Sequence, residues 1–220
     1  SQGNTVASHN RFGSYTRNRT IPVNPNTASQ TSARAAFTSF SQLWRAIGPA
    51  QQAGWTALSE LDPVIDTQGQ SIVLTGIAYY VRFNMNRRSL SLARLDTAPA
   101  LVEPPPLIES AVLALSGSAG DMDYTPTVIN GSATNFQLIM ATAPQSPGVS
   151  FVGRSDFRVL GEIAGNEPVA PPQSIQPIYA AVFGSGWETD IGMLIAYRFT
   201  GFSDSGFPGD FIQQFAIIGA

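Results

Sequence analysis

The spacing of apolar and polar residues changes twice along the chain. Residues 6–23, VASHNRFGSYTRNRTIPV, alternate without either side becoming apolar. Every second residue puts Ala7, His9, Arg11, Gly13, Tyr15, Arg17, Arg19 and Ile21 on one face, and Val6, Ser8, Asn10, Phe12, Ser14, Thr16, Asn18 and Thr20 on the other. The pattern predicts an extended arm or β-hairpin, bent at Gly13. Such a ribbon cannot bury a core of its own and needs another surface to lie on. Asn24-Pro25-Asn26 interrupts it.

A helical period follows. Thr27 with Gln30 three residues on has the form of a capping box, and a helix is expected over 28–47. Ala33, Ala36, Phe37, Phe40, Trp44 and Ile47 form its apolar stripe, opposite Arg34, Thr38, Ser41 and Arg45. Gly48 ends that helix and Pro49 opens a second, over 49–61. A helical hairpin with Phe37, Phe40, Trp44 and Trp55 as its core is the simplest packing. A short strand at 71–74 and a third helix over 76–86, capped by Thr75, complete this part; Arg87 and Arg88 follow where the helix dipole favours positive charge.

Pro99 and Pro104-Pro105-Pro106 mark a linker at 99–106. Beyond it the period becomes two. Strands are expected at 108–115, 124–129, 135–142, 149–160, 192–202 and 211–218, separated mostly by Gly-, Ser- and Pro-rich turns, with a short helix near 174–183. The fold class expected is therefore α+β. It has a basic arm at 1–23, a mainly helical domain at 24–98, and an antiparallel β-sandwich of immunoglobulin or fibronectin type at 107–220.

Charge sharpens the picture of the arm. No Asp or Glu precedes Glu60, whereas five arginines do, and the remaining residues hold seven arginines against fifteen acids. A leading segment near +5 thus faces a body near −8. Charged residues make up only 12% of the chain, about half the usual share, which suits a protein that covers much of its surface with neighbours. There is no cysteine, so thiolate chemistry is excluded. There is no lysine either, which excludes a lysine Schiff base and a Walker-type phosphate loop.

The candidate chemical sites are sparse. His9 is the single histidine, and a polar arm is a poor setting for the buried, oriented imidazole of a triad. Asp121 with Asp123, and Glu188 with Asp190, could offer carboxylates to a hard cation or form a glycosidase pair, but neither completes a calcium-loop motif. Two acidic turns are the preferred reading. Gly184-Ser185-Gly186-Trp187 lacks the glycine spacing of a phosphate cradle. No metal, cofactor or catalytic residue is therefore assigned. The arm could bind nucleic acid through Arg11, Arg17 and Arg19 with Phe12 and Tyr15. An overall pI near 5.0 favours the acidic body of a neighbouring copy instead. No apolar run is long enough to span a membrane, and the start SQGNTVASHN has no apolar leader region.

The run from Arg11 to Arg17 (RFGSYTR), Pro22-Val-Asn-Pro25-Asn-Thr27, then Gln30, Arg34, Phe37, Trp44 and Gln51 with Trp55, resembles the opening of uncharacterised proteins associated with phage and prophage regions. The segment Ala143-Pro-Gln-Ser-Pro-Gly148 fits the same pattern. The resemblance covers the N-terminal third well and the β part loosely, and it carries no catalytic residues with it. It implies a non-enzymatic structural component of a virion, of tailed-phage type, located in the particle after assembly in the host cytoplasm. Its partners would be copies of itself and other virion proteins. His9, Arg11, Phe12, Tyr15, Arg17 and Arg19 would form the subunit interface. The alternative from a different class is a surface or extracellular β-sandwich that binds a glycan or receptor through Trp187 and nearby loops.

Overall fold

The computed structural model describes residues 5–18, 24, 26–66, 68–116, 120–129, 135–164 and 173–219. Contacts divide the chain into two compact units, 1–36 and 37–220, with the division inside a helix. Residues 99–106 lie within the second unit.

The first unit opens with the expected hairpin. β1 (Thr5–Asn10) pairs antiparallel with β2 (Gly13–Asn18) across a turn at Arg11 and Phe12. Gly13 takes φ +117°, a value that side-chain-bearing residues rarely adopt. The Asn10 side-chain oxygen accepts the Phe12 N–H at 2.9 Å and tightens the turn. α1 (Ala28–Leu43) begins as its capping box requires. Thr27 Oγ1 accepts from the Gln30 N–H, and Gln30 Oε1 accepts from the Thr27 N–H, both at 3.3 Å. Arg34 donates back to the side chains of Asn26 and Asn24, which fixes the chain entering the helix.

In the second unit the helical cluster is built by α2 (Pro49–Leu61) and α3 (Gly76–Ser89), with the two-residue strands β3 (Val64–Ile65) and β4 (Ser71–Ile72) paired between them. α3 runs three residues beyond its expected end and stops among its basic residues Arg87 and Arg88. Its first residue, Gly76, crosses α2 so closely that a Cβ there would collide with Thr56 Oγ1 and lie 3.2 Å from the Trp44 ring. Trp55 is fully buried. It meets Tyr79, Tyr80 and Phe83 and donates its ring N–H to the Asp96 carbonyl at 2.9 Å. The expected pairing of the first two helices is therefore corrected: the packed hairpin is α2 with α3. α1 ends at Leu43, and Trp44 reaches the cluster from the following turn, where its ring lies 5.5 Å from Tyr80.

The β part comprises β5 (Leu107–Ser116), β6 (Asp121–Ile129), β7 (Phe136–Ala141), β8 (Arg158–Ala164), β9 (Gln173–Ser174), β10 (Leu194–Phe202) and β11 (Pro208–Ile217). They form two antiparallel sheets, ordered β5-β6-β9 and β11-β10-β7-β8. α4 (Gln176–Phe183) occupies the connection from β9 to β10 and packs on β8 and β6. Both sheets turn one face into a common core. Tyr124 of β6 stacks on Phe199 of β10 at 4.3 Å, and Ile108, Leu113, Met122, Ile139, Ile195 and Ile218 fill the space around them. The sheets also touch at one edge, where Gly219 bridges in parallel to Ser116 and donates its N–H to the Leu115 carbonyl.

One expected strand is corrected. Residues 149–157 are not part of the sheet, and β8 starts only at Arg158. Val149, Val152 and Phe157 instead cover Met140 and Ala196 on the outer side of the four-stranded sheet. Apolar residues in a covering loop and in a strand look the same in sequence.

Among the described residues β9 pairs with β6 at Asp123 and Tyr124. The Met122 carbonyl accepts from the Ile175 N–H, so the backbone groups of Met122, and of Tyr124 and Pro126 in the same phase, point toward that outer edge.

The helical cluster and the sheets are locked together. Arg87, only 8% exposed, donates Nε–H to the Ala93 carbonyl at 2.6 Å and Nη1–H to the Ser205 carbonyl in the β10–β11 turn. Burial pulls its pKa down and nearby Glu103 pushes it up. Glu103 in turn accepts from the Ser205 N–H and hydroxyl. Phe207, from the same turn, joins the helical aromatic cluster edge-on to Phe83 at 5.0 Å. Arg87→Ala is expected to cost about 3 kcal/mol of unfolding free energy, since charge-assisted bonds are lost and Glu103 loses its counter-charge. Urea denaturation measures it, and Arg87→Lys should recover only part of the loss because ammonium lacks the planar fork.

Candidate subunit interface

Folding the arm as a hairpin rearranges its faces. Simple alternation places Val6 and Ser8 opposite Tyr15 and Arg17. The two-residue turn reverses one strand, so Val6 pairs with Arg17 and Ser8 with Tyr15 on one face. Ala7, His9, Ser14 and Thr16 share the other. Of the residues expected at the interface, Tyr15 and Arg17 therefore lie together and His9 lies behind them. Arg11 and Phe12 form the tip. Arg19 lies outside the described residues.

The tip is the most exposed aromatic feature of the hairpin. Phe12 is 83% exposed, and the Arg11 guanidinium sits 4.6 Å from its ring centre. A cation over an exposed ring forms a flat amphipathic pad suited to another surface. Tyr15 is also exposed, and His9 stands in solvent rather than in a pocket.

The four residues expected in the helical core divide. Trp55 is buried, and Phe40 and Trp44 pack at the margin of its cluster. Phe37 is corrected: it is 58% exposed, and none of the residues of α1 is buried. Phe37 instead lines one wall of a shallow apolar groove of about 340 Å³, with Ile77, Val81 and Met85 of α3 opposite. A stripe that matches helical periodicity can serve an interface as well as a core, and the spacing alone does not separate the two.

The remaining sequence candidates fall into structural roles. Trp187, expected as a ligand contact in the alternative reading, is buried against Tyr179, with ring centres 6.1 Å apart. Glu188 accepts the Gly186 N–H at 2.8 Å, and Asp190 closes the same short turn through its N–H to the Trp187 carbonyl. Asp121 and Asp123 alternate along β6 on its outward face. Among the described residues no three His, Asp or Glu side chains gather where a metal could sit. No helix among them is long and apolar enough to cross a membrane.

Residues that sequence reasoning missed lie on the outer surface of β11. Phe211, Phe215 and Ile217 are all substantially exposed, and Arg198 of β10 lies between the Phe157 and Phe211 rings at 4.1 and 4.9 Å. The signal was present: alternate residues of 211–218 put apolar side chains on both faces, Phe211, Phe215 and Ile217 on one and Ile212, Ala216 and Ile218 on the other.

Compared with family models, curated proteins and solved structures, the chain matches none.

Two substitutions separate core from surface. Phe37→Ser should change the stability of the isolated chain by less than about 0.5 kcal/mol. Trp55→Ala should cost about 4 kcal/mol, from the cavity and the lost bond to Asp96. Thermal melts of the two variants against the parent check the contrast, and an equal loss for both would return Phe37 to the core.

Proposed function

We propose that this protein is a non-enzymatic structural component of a virus particle of tailed-phage type, assembling in many copies through its arginine-bearing N-terminal arm. The observation that carries the reading is the hairpin itself. It forms a two-stranded sheet of its own, exposes the Arg11–Phe12 tip, and bears no acid along 5–18. A two-stranded ribbon of this composition is marginal in water and gains stability only on a partner surface. The exposed stripe of α1 and the outward aromatics of β11 add further area of the kind that subunits cover.

The strand orders also support reading the β part as an immunoglobulin- or fibronectin-like sandwich. β5, β6 and β9 take the places of strands A, B and E, while β7, β10 and β11 take those of C, F and G, with β8 added at the C edge. Such a body offers two broad outer faces to neighbours.

The reading predicts that the protein forms oligomers whose association weakens as salt is raised, because exposed ion pairs are screened beyond about 8 Å at physiological ionic strength. The triple variant Arg11→Ala/Arg17→Ala/Arg19→Ala should remain folded and sediment as a smaller species. Sedimentation velocity at matched concentrations reads the difference. Unchanged assembly of the triple variant would remove the arm from the interface.

A further inference from the structure

The hairpin has two arginines and no acid, so its seat should carry acids and no base. One surface of the sheets has that character. β5 and β6 contain no Arg, Lys or His. On their outward face Val112, 60% exposed, pairs with Thr125, and the next rungs toward the turn are Ala114 with Asp123 and Ser116 with Asp121. At the far end Glu109 is exposed at the bulge between Ile108 and Ser110, beside Thr127. The face is thus acidic at both ends, small and hydroxylated between them, and apolar at its centre.

We propose that this β5–β6 face is the seat of the hairpin from a second copy of the chain. The inference rests on the reading of the arm as a subunit connector and names the surface it meets. Charge complementarity is the first argument: each side carries a single sign, and the signs are opposite. Spacing is the second. Asp121 and Thr127, next to Glu109, are six residues apart on one strand, about 20 Å. Arg11 sits in the turn just past the Asn10–Gly13 pair and Arg17 lies four residues along β2 from Gly13, so the two are about 15 Å apart along the ribbon, and the length of extended arginine side chains covers the difference. One arginine can therefore reach each acidic end when the ribbon lies along the strands. The third argument is the centre, where Val6 and Tyr15 on the Arg17 face of the hairpin meet Val112. Small neighbours such as Ala114 and Ser110 let a ribbon lie close to the sheet.

The test uses charge reversal in the full chain, read by sedimentation velocity, with melting temperature as the folding control. The arm-reversed variant Arg11→Glu/Arg17→Glu and the seat-reversed variant Asp121→Arg/Asp123→Arg should each fail to assemble. The chain carrying all four changes should regain assembly. The milder Asp121→Asn/Asp123→Asn, which keeps side-chain shape, should raise the dissociation constant about tenfold at physiological salt. If the arm-reversed chain fails while both seat variants assemble as the parent does, the seat lies elsewhere and only this inference is overturned. A folded four-fold variant that stays dissociated also overturns it. If the arm-reversed chain assembles normally, the connector reading falls together with it.

Discussion

The burial of one guanidinium constrains the larger unit more than any other single contact. Arg87 cannot be left without acceptors once it is withdrawn from water, because an unpaired buried charge costs several kcal/mol. Its acceptors come from the segment that follows α3 and from the turn between β10 and β11. The helical cluster and the sheets must therefore be in place together before Arg87 is satisfied. Phe207 is tied to the same condition, since the turn that presents Ser205 to Arg87 also delivers this ring to Phe83. The proline-rich stretch between the two parts takes part as well: Glu103 holds the turn, and a Cβ on Gly209 would come within 3.1 Å of the Pro105 ring. It is a packed strap rather than a free tether.

The elements that sequence reasoning located well are those whose signals are local. The Thr27–Gln30 box, Pro49 at the head of α2, Thr75 at the head of α3 and the strand alternation in 107–129 each depend on a few neighbouring residues. What it misplaced depends on distant partners. Phe37 and Phe40 share a stripe, yet only Phe40 finds the aromatic cluster. Val149, Val152 and Phe157 have strand-like composition, but the exposed side of β7 and β10 recruits them as a cover. The two faces of the arm depended on where the ribbon turned, and a two-residue turn at Arg11 and Phe12 exchanges the partners of every later residue. Arg87 read as a favourable charge at a helix end, and nothing in its neighbourhood announced Ser205, 118 residues away.

The scarcity of charge has a structural counterpart. Arg94 pairs with Asp96, two residues apart and at the surface. Away from Arg87 and Glu103, much of the polar anchoring uses neutral donors. Asn84 bonds both the N–H and the carbonyl of Leu95, Tyr79 donates to Asp62, and Tyr179 reaches the Thr142 carbonyl. Burial raises the pKa of both tyrosines, so each remains a phenol donor through the alkaline range. A scaffold held this way responds little to salt, which leaves the charged ends of its exposed surfaces free to set the salt response of association.

Pro126 has a consequence for the kind of polymer this chain can form. Among the described residues β9 pairs with the outer edge of β6 at two positions, and a sheet edge with free backbone groups is a template for unlimited strand addition. In that edge the N–H groups facing outward recur at every second position, in phase with Met122 and Tyr124, and Pro126 occupies the next such position without a hydrogen to give. Any strand pairing along this edge would find its ladder interrupted at Pro126. Growth by backbone pairing, the route to amyloid-like fibres, is blocked there by one ring. At this edge association is left to side-chain surfaces, whose geometry can close on itself and stop.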